Sequence, residues 1–235
     1  MSAEEPDPIE NIGARPDVDL RPWLARTVPS QGPRPLCLPF ALSAAHESLL
    51  NFEDAREVSL AVESIWRYCV LGGNASEGGT LLEHAADGIQ DDGQVEIAFW
   101  PYNDFLAHDT EEPPPGCPEQ PWRTASWRRV HIHRDGVEPG IEDCLAAGFP
   151  VVVVIEITSG FWVSPPIDTV EVPNIRDESE GFHGVLIVAA ATRDGERMFL
   201  VRNSWGTGWG AGGYAWISPR YLIAFGAEAA IVTRA

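Results

Sequence analysis

Three residues spread along this 235-residue chain, Cys37, His183 and Asn203, carry the groups that attack by sulfur on a carbonyl requires. Cys37 stands directly before Leu38-Pro39-Phe40, where a helix begins. Unpaired backbone N–H groups and the positive end of the helix dipole favour a thiolate there and lower the pKa of the thiol. The thiolate needs an imidazole that holds its proton and returns it to a leaving amine; His183, in Gly-Phe-His-Gly ahead of an apolar strand, has that chemistry. The imidazole in turn needs an acceptor that fixes its tautomer and plane. Asn203, at the end of a strand over 198–202, offers a side-chain carbonyl. Singly, these are a buried helix cysteine, a strand-edge histidine and a turn asparagine; together they describe a nucleophile, its base and the base's orienter.

Two kinds of element must position them. From Leu38 the chain places Phe40, Leu42, Ala44, Leu49 and Leu50 around a helical wheel, with Pro39 in the first turn, where its missing N–H costs nothing. The pattern predicts a largely buried helix with Cys37 at its N-terminal end. Further helices are predicted over 56–68 and 80–91, with a glycine-rich loop, 72–79, between them. Residues 102–122 are acidic and proline-rich and read as a connector between lobes. Beyond it, 128–134 alternates like a strand, 139–147 is a short helix, and 151–157, 185–190, 198–203 and 213–217 are strands, the first an apolar β-branched run fit for burial. The expected organisation is an acidic tail over 1–18, a mainly helical lobe over 19–120 with the nucleophile, and a mainly β lobe over 121–235 with the histidine and asparagine. That is an α+β fold.

Composition removes several alternatives. A 44% hydrophobic content is ample for a buried core, whereas a net charge of -19 repels phosphate backbones and anionic membrane surfaces. Nucleic acid and membrane are therefore not expected partners. All 16 basic residues are arginine, which excludes Schiff-base, P-loop and kinase-type lysine chemistry and fits a GC-rich coding bias. The N-terminal segment has neither a basic start nor an apolar stretch, so no signal or anchor is expected and the cytoplasm is the expected location. The four cysteines, 37, 69, 117 and 144, form no C-x-x-C pair and are expected to be reduced. Cys69, Cys117 and Cys144 read as inert packing or surface thiols. His131 and His133 alternate on one strand, but no spacing resembles a zinc site, so no metal or other cofactor is expected.

The surroundings of the three residues resemble the papain family of cysteine peptidases. The likeness is carried by Gln31-Gly32 ahead of Cys37 at a helix start, by His183-Gly184 before a strand, and above all by Asn-Ser-Trp-Gly-Thr-Gly-Trp-Gly over 203–210. The separation of Cys37 from His183 also falls in that family's range of about 130–150 residues. The resemblance implies a two-lobe fold, a helical lobe and a β-barrel-like lobe with the active-site cleft between them. It implies that Gln31 gives a side-chain N–H to an oxyanion hole completed by the Cys37 backbone N–H. Trp205 would shield the His183–Asn203 hydrogen bond. Gly78 and Gly79 would present backbone to an extended substrate, while Thr80, Leu81 and Phe182 border its side chains.

The chain also departs from the family pattern. Arg34-Pro35-Leu36 precedes the nucleophile and Leu38-Pro39 follows it, so the usual aromatic wall beside the thiol is missing. Arg34 stands where the family has a disulfide cysteine. With only eighteen residues before the mature-like start, a divergent, bacterial-type member without an inhibitory propeptide is expected. The function this predicts is hydrolysis of a peptide or amide bond through a thioester acyl-enzyme, with a narrow substrate range. The acidic run 109–112 favours cationic substrates if it borders the cleft. Acyl transfer or cyclisation of a peptide-derived natural product is the rival reaction, and a catalytically silent papain-fold binding module the rival class.

Overall fold

The computed structural model of the chain describes residues 15–54, 57–132 and 138–235. Helix α1 (Cys37–Asp54) begins at the nucleophile, with Pro39 in its first turn. Leu38, Leu42 and Ala45 are buried, and the polar residues that face inward tie other segments to the helix. The Glu47 carboxylate accepts the Leu60 N–H at 2.7 Å, and Asn51 accepts the Val58 N–H and donates to the Trp23 carbonyl. Those contacts explain why α2 spans Val62–Leu71 and not the earlier 56–68. Residues 58–61 are drawn out along α1 and bridge to 95–96, with the Ala61 N–H donating to the Val95 carbonyl at 2.8 Å. Helix α3 (Leu82–Asp91) follows the glycine-rich loop as expected.

The remaining elements build one antiparallel sheet of seven strands: β1 (Val18–Asp19), β2 (Ser126–Arg129), β3 (Val151–Thr158), β4 (Ser179–Arg193), β5 (Glu196–Arg202), β6 (Tyr214–Ile217) and β7 (Gly226–Thr233). The order is β2-β7-β3-β4-β5-β6, with β1 added beside β4. Because side chains alternate along a strand, β3 buries both faces. Val151, Val153 and Ile155 pack with helices α4 (Glu138–Ala146) and α5 (Pro219–Phe225) through Ile141, Leu145, Tyr221 and Leu222. Val152 and Val154 pack under α1, α2 and α3 with Leu42, Ile65, Leu82 and Ile89. Each fully buried side chain of this kind contributes about 1.5–3 kcal/mol, so α1 is clamped between the other helices and the sheet.

The observed elements give an α+β architecture with helices α1–α3 ahead of most of the sheet. Other bounds besides that of α2 differ from expectation, among them β4, which runs well past the expected 185–190. β2 ends at Arg129, since it pairs on one side only, with β7. His131 lies exposed just beyond it, and His133 is outside the described residues. At the other end, residues 15–18 are held to the sheet: Asp17 accepts from the Thr192 N–H and from Arg197, and Val18 pairs with Ala190. The rest of the acidic tail, 1–14, lies outside the described residues. Among the described residues no helix is long and apolar enough to cross a membrane.

Arg34 is the most heavily bonded side chain near the nucleophile. It is fully buried, forms an ion pair with the equally buried Glu63, and donates to the carbonyls of Asn103 (2.8 Å), Ala107 (2.9 Å) and Asp109 (3.1 Å). Where the resembling family has a disulfide cysteine, this chain has a guanidinium that fastens α2 and the 103–109 loop to the segment leading into Cys37. All four cysteines are free thiols.

Candidate active site

The site forms where the N-terminus of α1 meets β4. Gly184 permits the approach: a Cβ there would stand 2.8 Å from Leu38 Cδ2 and 3.1 Å from the Leu38 nitrogen, closer than the helix could bear. The Gly184 N–H therefore reaches the Cys37 sulfur, and His183, one residue earlier on the same strand, is carried to the head of the helix. His183 is buried, and its Nε2 lies 2.7 Å from Asn203 Oδ1. The same oxygen accepts the Ser204 backbone N–H at 2.8 Å. A backbone N–H can only donate, so the atom it meets is the carbonyl oxygen of the amide. His183 Nε2 must then carry the proton, leaving Nδ1 with the lone pair that a thiol proton needs.

Aromatic rings keep water from this hydrogen bond. Trp205 lies over the imidazole, centroids 4.5 Å apart and planes 34° apart, and Phe161 meets the same imidazole edge-on at 5.8 Å. Trp209 is buried core, as its place in a glycine-rich turn suggests, and donates its indole N–H to the Phe161 carbonyl.

Gln31 enters through a short antiparallel bridge that runs against the 203–210 block. Ser30 pairs with Trp205, the Gln31 N–H donates to the Ser204 carbonyl at 2.7 Å, and the Gly206 N–H donates to the Pro29 carbonyl. The Gln31 amide is itself fixed: Oε1 accepts from Ser204 Oγ at 2.6 Å, and Nε2 donates to the Arg34 carbonyl at 2.7 Å. One N–H of that amide is thus spent within the protein, and the second is the donor left for an oxyanion. The Cys37 N–H, at the first position of α1, is one of the helix's orphan donors. Ser204 emerges as a residue the sequence reading quoted but gave no task. Its N–H donates to the Asn203 carbonyl oxygen that meets His183, and its hydroxyl donates to Gln31 Oε1. Its place between Asn203 and Trp205 was the only signal for it.

The electrostatics differ from the expectation of a helix-lowered thiol pKa. Burial pushes the Cys37 thiol up by more than the N–H groups of Gly184, Leu38 and Cys37 pull it down. Burial likewise holds the His183 imidazole down to about 4, against the opposing hydrogen bond to Asn203. Both shifts favour the uncharged partners, because the closed site has little water to solvate an isolated charge. A consequence is measurable in the pH profile. His183 accepts a proton only while neutral, so kcat/KM should hold near its plateau down to about pH 4. Loss of half the activity near pH 6.5, where an unperturbed imidazole titrates, would contradict the shift.

The residues expected to border a substrate are less uniform. Leu81 and Phe182 are exposed. Gly79 adopts a left-handed φ of 104° that closes a turn on Ser76: the Gly79 N–H donates to the Ser76 carbonyl and the Gly79 carbonyl accepts the Ser76 N–H. Its backbone groups are thus engaged within the loop, which departs from the expected pairing with substrate. Gly78 likewise gives its N–H to Ser76 Oγ. Thr80 keeps its hydroxyl buried and, among the described residues, without a hydrogen-bond partner. In the acidic run, Glu111 accepts from Trp100 and Asn103, and Glu112 pairs with Arg67. Burial raises the Cys69, Cys117 and Cys144 thiols, as it does that of Cys37.

The chain matches the family model for papain family cysteine proteases over residues 16–232. It is 27% identical over 216 residues to a cathepsin L-like peptidase of Aedes aegypti, covering 87% of this chain and 59% of that protein. It is also 27% identical over 193 residues to cathepsin S of Mus musculus, covering 78% and 52%. The chain thus spans between half and three fifths of the length of these curated relatives. The crystal structure of xylellain, a cysteine protease from Xylella fastidiosa, superposes with a TM-score of 0.75 at 26% identity, covering 97% of this chain and 90% of that one. Procathepsin L 3 of the Tenebrio molitor larval midgut shares the fold at a TM-score of 0.73. A family match along nearly the whole sequence, on the same fold, identifies the chain as a member of the papain family of cysteine proteases.

Proposed function

We propose that the chain hydrolyses peptide or amide bonds through a thioester acyl-enzyme, with Cys37 as nucleophile, His183 as base and acid, and Asn203 as the residue that orients the imidazole. The observation that carries this reading is the 2.7 Å hydrogen bond from His183 Nε2 to Asn203, held under Trp205 at the strand that meets the head of α1. In the first step the Cys37 proton passes to His183 Nδ1 as sulfur attacks the carbonyl. The oxyanion accepts the Cys37 N–H and the free Gln31 N–H, each worth about 3–4 kcal/mol of transition-state stabilisation in such sites. His183 then gives its proton to the leaving amine, and later takes one from the water that opens the thioester. A narrow substrate range is consistent with Leu38 and Pro39 in place of the usual residues after the nucleophile. A preference for cationic substrates rests on the net charge of -19 alone, since Glu111 and Glu112 are already paired. The free cysteines and the Arg34–Glu63 pair at the disulfide position support a reducing compartment, the cytoplasm.

Labelling with a thiol-directed electrophile tests the site before any substrate is known. Cys37 should react at neutral pH at least about tenfold faster than Cys69, Cys117 or Cys144, because it alone has a base beside it. Equal labelling of all four by peptide mass mapping would remove the catalytic reading and leave a binding module.

A further inference from the structure

We propose that Trp162 is a specificity-determining residue on the leaving-group side of the site, selecting a large aromatic or apolar side chain within the first two residues after the scissile bond. The proposal rests on the catalytic reading above and names part of its substrate. Trp162 is 59% exposed. It is also held in one pose. Its ring stacks on Trp205 at 4.1 Å with planes 10° apart, and its indole N–H donates to Glu180 at 2.6 Å. The flanking backbone is pinned as well: the Phe161 carbonyl accepts from Trp209, and the Val163 carbonyl accepts the Gly210 N–H.

Position gives the exposed ring its meaning. Trp205 touches both the His183 imidazole and Trp162, so Trp162 lies one ring layer beyond the residue that covers the general acid. The group that receives the proton from His183 is the leaving amine, so the chain that follows it must pass this wall. An extended peptide advances about 3.4 Å per residue, which brings the side chains one and two places after the bond alongside the stacked indoles. A rigid, flat apolar surface favours an aromatic or large apolar partner because it loses little freedom on binding and gains ring stacking.

The test uses matched peptides with one acyl-side sequence that the wild type cleaves, carrying Phe or Ser at the first or second position after the bond, and the same acyl side as a methyl ester. Wild type should cleave at least one Phe peptide with a kcat/KM about 10- to 100-fold above the Ser peptide, the range expected for burying one aromatic side chain. Trp162→Ala should shrink that ratio to about threefold or less, Trp162→Phe should keep most of it, and the methyl ester should be turned over by all three within about threefold. Equal cleavage of Phe and Ser peptides by wild type, or an unchanged ratio in Trp162→Ala, overturns the proposal. A methyl-ester rate that falls as far as the peptide rates would make Trp162 a mere prop for Trp205, which also overturns it. Absence of any Cys37-dependent turnover, ester included, is the separate failure of the catalytic reading.

Discussion

Replacing Cys37 with alanine is expected to lower kcat for peptide hydrolysis by at least about 10⁴-fold while leaving KM within about threefold, since removing a nucleophile that acts as one unit with its base costs nearly the whole covalent route. The oxyanion donors and the bound geometry survive, because the Gln31 amide is held by Ser204 and Arg34 and not by the thiol. What remains is therefore slow water attack assisted by that pocket. Asn203→Ala should be milder, about 10- to 100-fold. It frees the imidazole to take the wrong tautomer and leaves the buried Nε2 proton unpaired, a penalty of about 1–3 kcal/mol. Steady-state assays of the two variants against wild type decide the matter. More than a few per cent of wild-type kcat in Cys37→Ala would remove sulfur from the reaction.

Arg34→Met is expected to destabilise the protein by about 3–5 kcal/mol, the usual cost of stripping one partner from a buried ion pair. Glu63 would be left charged in a site where neither partner had any exposed side-chain surface. The carbonyls of Asn103, Ala107 and Asp109 would lose their donor at the same time. For a chain of this length the shift in Tm is roughly 10 °C. Activity should fall too, because the Arg34 carbonyl anchors the Gln31 amide and its segment would loosen. The double variant Arg34→Met/Glu63→Leu should recover part of the loss, since two apolar groups need no compensation. Chemical denaturation of the two variants against wild type measures it. A drop of less than about 1 kcal/mol in the single variant would show that the pair is not stapling the loop.

The sequence alone supplied the residues on which the proposed chemistry rests. A cysteine at a helix start, a histidine before glycine and an apolar strand, and the Asn-Ser-Trp-Gly block are local patterns that name residue types, and the structure joins His183 to Asn203 and packs the strand of His183 against the head of α1. It also determined most elements, because helical and strand periodicities are written in neighbouring residues: α1, α3, β3 and the core of β4 fall close to expectation. Two other strands were a different matter. β1 is two residues long, and β7 carries the alanine-rich Gly-Ala-Glu-Ala-Ala; each becomes a strand only through the partner it meets. The true start of α2 depended on side chains of α1 capturing Val58 and Leu60.

At the site, the tertiary structure decided everything that depends on distant neighbours. Burial reversed the thiol shift that the helix start suggested, since desolvation is a property of the packed surroundings and the helix dipole a property of the segment. The tautomer of His183, the twofold task of Ser204, the Gly79 turn that closes on Ser76, and the Arg34–Glu63 staple each join residues far apart or turned against their local pattern. Trp162 is the same case at the surface. A tryptophan after Gly-Phe is an ordinary core candidate in sequence, and only the folded chain stacks it on Trp205, next to His183, with its ring left exposed.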